Sequence, residues 1–206
     1  MRKFVLIFSL LIGITVLMNA EFKTNGYKVG DKIADFSLKN TVDDKMVSLA
    51  GYKKAKGFIV VFTCNHCPFA QMWESRIMQL DKDFAAKGYP VIAISSNDPT
   101  DHPDDAPGKM TKRAQEKGYT FPYLYDETQT VAKAFGATKT PHVYVISKKG
   151  TDMIVEFIGA VDDNARDEKS VSKTYTADAV NALLSGKEIK VKEVPAVGCS
   201  IKFKAS

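Results

Sequence analysis

The sequence predicts an α/β fold: a central mixed β-sheet flanked by helices, with an N-terminal β-hairpin extension. Three observations predict it. Phe58-Ile59-Val60-Val61-Phe62 is an unbroken apolar run, and residues 69–87 after it carry Phe69, Met72, Trp73, Ile77, Leu80 and Phe84 at helical spacing. The run reads as a strand buried on both faces and the spaced set as an amphipathic helix. A second apolar run, residues 90–95, follows a helix stop at Gly88, and strand–helix–strand in this order makes a right-handed crossover between parallel strands. Further on, residues 143–146 and 154–158 flank the turn Lys148-Lys149-Gly150, which returns the chain antiparallel.

The N-terminus stands apart from this fold. Arg2-Lys3 precede an apolar run over residues 4–18 that ends at Asn19-Ala20, the pattern of a secretory signal segment over residues 1–20. The run is shorter than the ~20 residues of a spanning helix. Met18 is bulky for the third position before a cut after Ala20, so an uncleaved membrane anchor is the alternative. Residues 21–28 are polar and expected to be flexible, residues 29–187 form the domain, and residues 188–206 are a C-terminal tail.

Within the domain, Ala34-Asp35-Phe36-Ser37-Leu38 alternates as a half-buried strand, with Met46-Val47-Ser48-Leu49 as its hairpin partner. Lys53, Lys54 and Lys56 make a solvated loop. Residues 97–108, with Asp98, Asp101, His102, Asp104, Asp105 and three prolines, read as a surface loop whose irregular spacing fits no cation loop. A short charged helix over 109–117 stops at Gly118, and Phe121-Pro122-Tyr123-Leu124-Tyr125 reads as an edge strand because of its proline. Asp126 caps a helix over 128–135 that Gly136 ends. After a charged loop over 162–172, a helix over 176–184 turns Ala177, Val180, Leu183 and Leu184 inward.

The chemistry is carried by Phe62-Thr63-Cys64-Asn65-His66-Cys67-Pro68, where the first strand hands over to the first helix. Backbone N–H groups and the helix dipole there favour a thiolate, expected on Cys64, and Cys67 lies within disulfide reach one turn away. A cysteine zinc site needs a second close pair, and the third cysteine, Cys199, is far along the chain; haem attachment needs histidine where Pro68 stands. A structural bridge closing so short a loop would add little stability. His66 is placed to stabilise the Cys64 thiolate as an imidazolium, or else simply faces solvent. Cys199 is a candidate third exchange thiol, the alternative being a small buried side chain.

The dithiol block, the later Thr140-Pro141 and the strand His142-Val143-Tyr144-Val145-Ile146, in that order, resemble the thioredoxin superfamily. Within it the chain is most similar to redoxins related to alkyl hydroperoxide reductase and thiol-specific antioxidant (AhpC/TSA), over about residues 29–187. The resemblance implies a thioredoxin-like fold, a nucleophilic Cys64, a resolving Cys67, and a cis peptide before Pro141 that brings Thr140 and Pro141 to the substrate groove. Two departures matter. Peroxidatic members carry Pro-x-x-x-Thr-x-x-Cys, whereas counting back from Cys64 those places hold Gly57 and Val61, and from Cys67 they hold Val60 and Cys64. Thioredoxins keep an acid in the strand before the dithiol, and residues 58–62 contain none.

A chain of 206 residues with 45% hydrophobic content supports one core and one domain. A net charge of +5, without a basic run interleaved with aromatics, excludes a nucleic-acid footprint. The expected activity is thiol–disulfide exchange with protein thiols and disulfides and with a separate redox partner. No cofactor beyond the Cys64–Cys67 disulfide and no metal is expected, and a membrane enters only through an uncleaved signal segment. The expected location is a bacterial periplasm or cell envelope, where disulfides persist. Two alternatives stand beside it: a thiol peroxidase using Cys64, and a copper-delivery module using Cys64, Cys67 and His142.

Overall fold

The computed structural model describes residues 25–204, so the expected signal segment lies outside the described residues. The first apolar run becomes the middle of the sheet. β1 (Ser37–Asn40) and β2 (Met46–Ser48) form the N-terminal hairpin, and β3 (Gly57–Phe62) is buried along its whole length. After α1 (Pro68–Phe84), β4 (Val91–Ser95) pairs parallel with β3. Then come α2 (Pro107–Lys117), β5 (Tyr123–Tyr125), α3 (Thr130–Phe135) and β6 (Lys139–Thr140). β7 (His142–Lys149) and β8 (Asp152–Gly159) form the expected antiparallel pair, followed by α4 (Tyr175–Leu184) and β9 (Cys199–Ser200). The main sheet runs β2-β1-β5-β4-β3-β7-β8, and β6 and β9 make a separate two-stranded ladder.

Alternation along β3 builds two cores. Phe58, Val60 and Phe62 point to one face, against Phe135 and Ala132 of α3. Ile59 and Val61 point to the other, against Trp73, Ile77, Leu80 and Phe84 of α1, Met110 of α2 and Val180 of α4. Successive strand side chains face opposite ways, so a sheet with helices on both faces needs the continuous apolar run seen in the sequence.

Three expectations are corrected and one is extended. The strand containing Pro122 is interior: β5 lies between β4 and β1, because Pro122 falls just outside the paired residues and the hairpin covers the side expected to be open. In α4 Val180 is buried and Ala177, Leu183 and Leu184 pack half-buried on the core, as expected, but the buried face also includes Thr176 and Ala179, and Thr176 Oγ1 donates to the Ala160 carbonyl. The segment expected to be flexible is packed at its end: Tyr27 sits edge-on to Phe135 and its hydroxyl accepts the Ala34 N–H at 3.1 Å. The domain also does not stop at residue 187, since Ile189 and Ile201 of the tail belong to the two cores. Among the described residues no helix is long and apolar enough to cross a membrane.

Candidate active site

Cys67 is the N-cap of α1, with Pro68 at the first helical position, where a missing N–H costs nothing. Cys64 lies three residues before it, just past the end of β3. Both are free thiols, Cys64 4% exposed and Cys67 fully buried, and their side chains pack together with Ala70. Two thiols in such contact lose a first proton more readily than either alone, since the remaining S–H stabilises the anion, and hold the second harder.

The surroundings decide which sulfur carries the charge. The hydrogen bond from Cys64 holds the Cys67 thiol down, to about 4, against the effect of burial, and the Cys199 thiol, Thr140 and the Ala70 N–H act in the same direction. The Cys199 N–H also points at Cys67 Sγ, at 3.4 Å. Cys64 is pushed up by its hydrogen bond to Cys67, by burial and by the nearby Asp105 carboxylate. The expectation placed the thiolate on Cys64; the Cys199 N–H aimed at Cys67 Sγ favours charge on Cys67 as well, so the two sulfurs share it.

Thr140 and Pro141 meet the dithiol as expected, and the peptide between them is cis. The Thr140 carbonyl lies 3.1 Å from Cys67 Sγ, and Cys64 Sγ lies 3.4 Å from Thr140 Oγ1. They do not line an open groove, however. Thr140 and Pro141 are buried, and β9 pairs along β6 with Cys199 opposite Thr140.

His66 brings a ring nitrogen within 4.8 Å of Cys64 Sγ and is also paired elsewhere. Its Nδ1 is 2.5 Å from Asp105 Oδ2, and its ring stacks on His102 with centroids 3.9 Å apart. Asp105, fully buried, also accepts the N–H groups of Asn65 and His66 and the Asn97 amide. The Asn65 amide donates to the Asp104 carbonyl and accepts from the Tyr123 hydroxyl, and Gln71 donates to the Asn65 carbonyl. The loop expected only to cover the surface thus holds the whole Cys-x-x-Cys turn. His66 is thus fixed by a carboxylate while it lies beside Cys64.

Asp105, Asn97 and Tyr123 are the residues that sequence reasoning missed. A usable signal existed: the strand before the dithiol lacks an acid, while an Asp-rich loop follows the adjacent strand. Among the described residues, Cys64, His66 and Asp105 bring potential ligand atoms within 4.8 Å of one another. His142 is not in that group; its Nδ1 accepts the Thr138 N–H and its ring lies against Tyr144, so the Cys64, Cys67 and His142 copper set is not assembled. Burial lowers the His142 pKa to about 4. The cavity behind Cys64, lined by Thr63, Ala70, Glu74 and Tyr119, measures about 10 Å³, room for one water at most.

Comparison with known proteins places this geometry. The sequence model of the AhpC/TSA family matches residues 29–152. An uncharacterized conserved protein from Geobacillus kaustophilus is 38% identical, with a TM-score of 0.80 over 88% of this chain and 95% of its own. A hypothetical protein from Sinorhizobium meliloti 1021 is 32% identical, with a TM-score of 0.80 over 90% of this chain and 100% of its own. A thioredoxin-family thiol:disulfide interchange protein from Chlorobium tepidum, 20% identical, shares the fold with a TM-score of 0.52 over 65% of this chain and 87% of its own. No curated protein matches the chain. The fold is thioredoxin-like.

Proposed function

The chain belongs to the AhpC/TSA family, and from that premise we propose that it is a thiol–disulfide oxidoreductase working through Cys64 and Cys67. The observation that carries this reading is that the two free thiols pack together at the head of α1, each against Thr140. The pair shares one proton, and with that proton on Cys67, whose S–H the Thr140 carbonyl accepts at 3.1 Å, Cys64 is the thiolate. Cys67 is thereby the proton acceptor that the strand before the dithiol does not supply. The Cys64 thiolate attacks one sulfur of a substrate disulfide and releases the first substrate thiolate. Cys67, losing its proton again, attacks Cys64 Sγ, closes the Cys64–Cys67 bond and releases the second. The protein dithiol is oxidised by two electrons and the substrate disulfide reduced to two thiols; the reverse sequence oxidises substrate thiols.

The Cys199 N–H, 3.4 Å from Cys67 Sγ, stabilises an anion in the reduced pair, which shifts the couple to the oxidising side of thioredoxin. Export to an oxidising envelope, expected from the signal segment, suits such a couple. The peroxidase reading is weaker: Gly57 and Val61 stand where the peroxidatic Pro and Thr would be. Replacing Cys64 with Ser should abolish reduction of insulin disulfides, and replacing Cys67 with Ser should leave mixed disulfides on Cys64. Turnover retained by Cys64→Ser would remove the proposal, and a midpoint at or below about −270 mV would remove the oxidising assignment.

A further inference from the structure

We propose that Cys199 is a third redox thiol, exchanging with the Cys64–Cys67 bond at Cys67, so that the protein has a second oxidised form, a Cys67–Cys199 disulfide. The inference rests on the dithiol function above and adds a residue to it.

Cys199 is carried to the site by the tail and held there. β9 pairs with β6 so that Cys199 lies opposite Thr140, and its N–H points at Cys67 Sγ at 3.4 Å. Cys64 and Cys67 form one small cluster and Cys199 packs against it, so all three cysteines meet at one place. The approach is close enough to exclude a side chain at the preceding residue. A Cβ on Gly198 would stand 2.1 Å from the Thr140 carbonyl oxygen. Beyond Cys199 the tail is pinned: Ile201 is buried and its N–H donates to the Thr138 carbonyl, and the Lys202 N–H donates to Asn97 Oδ1. Asn97 also donates to Asp105, so one side chain ties the tail to the carboxylate that holds His66. Holding a thiol beside the sulfur it attacks makes the step effectively unimolecular.

Exposure gives the arrangement a purpose. Cys64 and Cys67 are buried, whereas Cys199 is half-buried and is the most open of the three. A third sulfur nearer the surface offers a partner thiol a route to a dithiol that the tail otherwise covers.

The step balances without an outside reagent. The Cys199 thiolate attacks Cys67 Sγ of the Cys64–Cys67 disulfide; the Cys67–Cys199 bond forms, the Cys64–Cys67 bond breaks, and Cys64 leaves as a thiolate that takes up the proton Cys199 gave. No electrons are gained or lost overall.

The test uses the full chain. Reduced Cys64→Ser, which keeps Cys67 and Cys199, is treated with one equivalent of diamide and mapped by non-reducing peptide mass spectrometry. The expected result is a monomer in which both remaining thiols are lost together and their peptides are joined. Persistence of both thiols, or cross-linking only between chains, overturns the proposal. A distortion specific to that variant is bypassed with the unmodified protein, oxidised by one equivalent and alkylated under acid. Label on both Cys64 and Cys199 is expected, and label confined to Cys199 overturns the proposal. Gly198→Ala should confine the label to Cys199 by displacing the tail; label still shared with Cys64 would count against the seating described here. If the unmodified protein forms Cys64–Cys67 and turns over insulin while Cys67–Cys199 never forms, this inference alone fails; if Cys64–Cys67 never forms either, the functional reading falls with it.

Discussion

Cys67 shows how position within a turn outweighs order along the chain. At the head of α1 it accepts the Cys199 N–H, while Cys64 lies beside the Asp105 carboxylate. Because its neighbours lower the pKa of the Cys67 thiol, the reduced pair should hold one proton across the neutral range, and reduction of the disulfide then takes up two electrons and one proton. The midpoint potential should therefore fall as pH rises by about 30 mV per unit between about pH 5 and pH 8, rather than the ~59 mV of a couple taking up two protons. Potentials measured against a glutathione series check this, and the steeper slope would mean that both thiols are protonated. Asp105→Asn should remove the charge that opposes ionisation of Cys64. Alkylation of Cys64 at neutral pH should then quicken by up to about tenfold, one pKa unit's worth, while the lost hydrogen bonds cost about 1–3 kcal/mol of stability. A rate unchanged or slowed, read at Cys64 by mass spectrometry, would contradict that electrostatic role. The dithiol itself was legible because its spacing is local. The seat of the charge was not, since Asp105 and Cys199 lie 41 and 132 residues or so from their partners and spacing says nothing about such approaches.

α1 is the element on which the site depends, and its own anchoring is polar as well as apolar. Trp73 and Ile77 bury one stripe in the core. From the same helix, Trp73 Nε1 donates to Asp162 Oδ1 at 2.8 Å and Arg76 Nη1 donates to Asp162 Oδ2 at 2.6 Å, with Asp162 4% exposed. Asp162→Ala would leave a mostly buried guanidinium and an indole N–H without their carboxylate, and removing one partner of a buried pair costs about 3–5 kcal/mol. Urea unfolding of the variant should show a loss of that order; a loss below about 1 kcal/mol would mean that solvent screens the pair. Periodicity found this helix because the stripe repeats over several turns, and it found β3, β4 and β7 because their apolar runs are continuous. It misplaced β5, where Pro122 signalled an edge, since a residue's neighbours along the chain do not reveal that a hairpin more than 70 residues earlier supplies the next strand. In α4 it found the inward apolar residues but missed Thr176, whose hydroxyl is buried on the Ala160 carbonyl, and Ala179.

At the scale of the molecule, the tail decides how open the site is. Read from sequence, residues 188–206 lack the periodicity of a helix or a long strand, so they fall outside any domain defined by local pattern. Their contribution is made through isolated contacts: Ile189 and Ile201 fill places in opposite cores, the Val194 N–H bonds to the Ile158 carbonyl, and Cys199 closes over the dithiol. Ending the chain after Lys187 would expose the surfaces that Ile189 and Ile201 cover, and burial of each such side chain contributes about 1.5–3 kcal/mol. A truncated protein should thus lose at least about 3 kcal/mol in denaturant unfolding, and its Cys67 should change from a protected to a readily alkylated thiol. The two readouts separate two roles. Loss of stability with Cys67 still protected would make the tail a packing element alone. Exposure of Cys67 together with the loss would make it also the cover that admits or denies partners to the dithiol, which is the role its register against Thr140 supports.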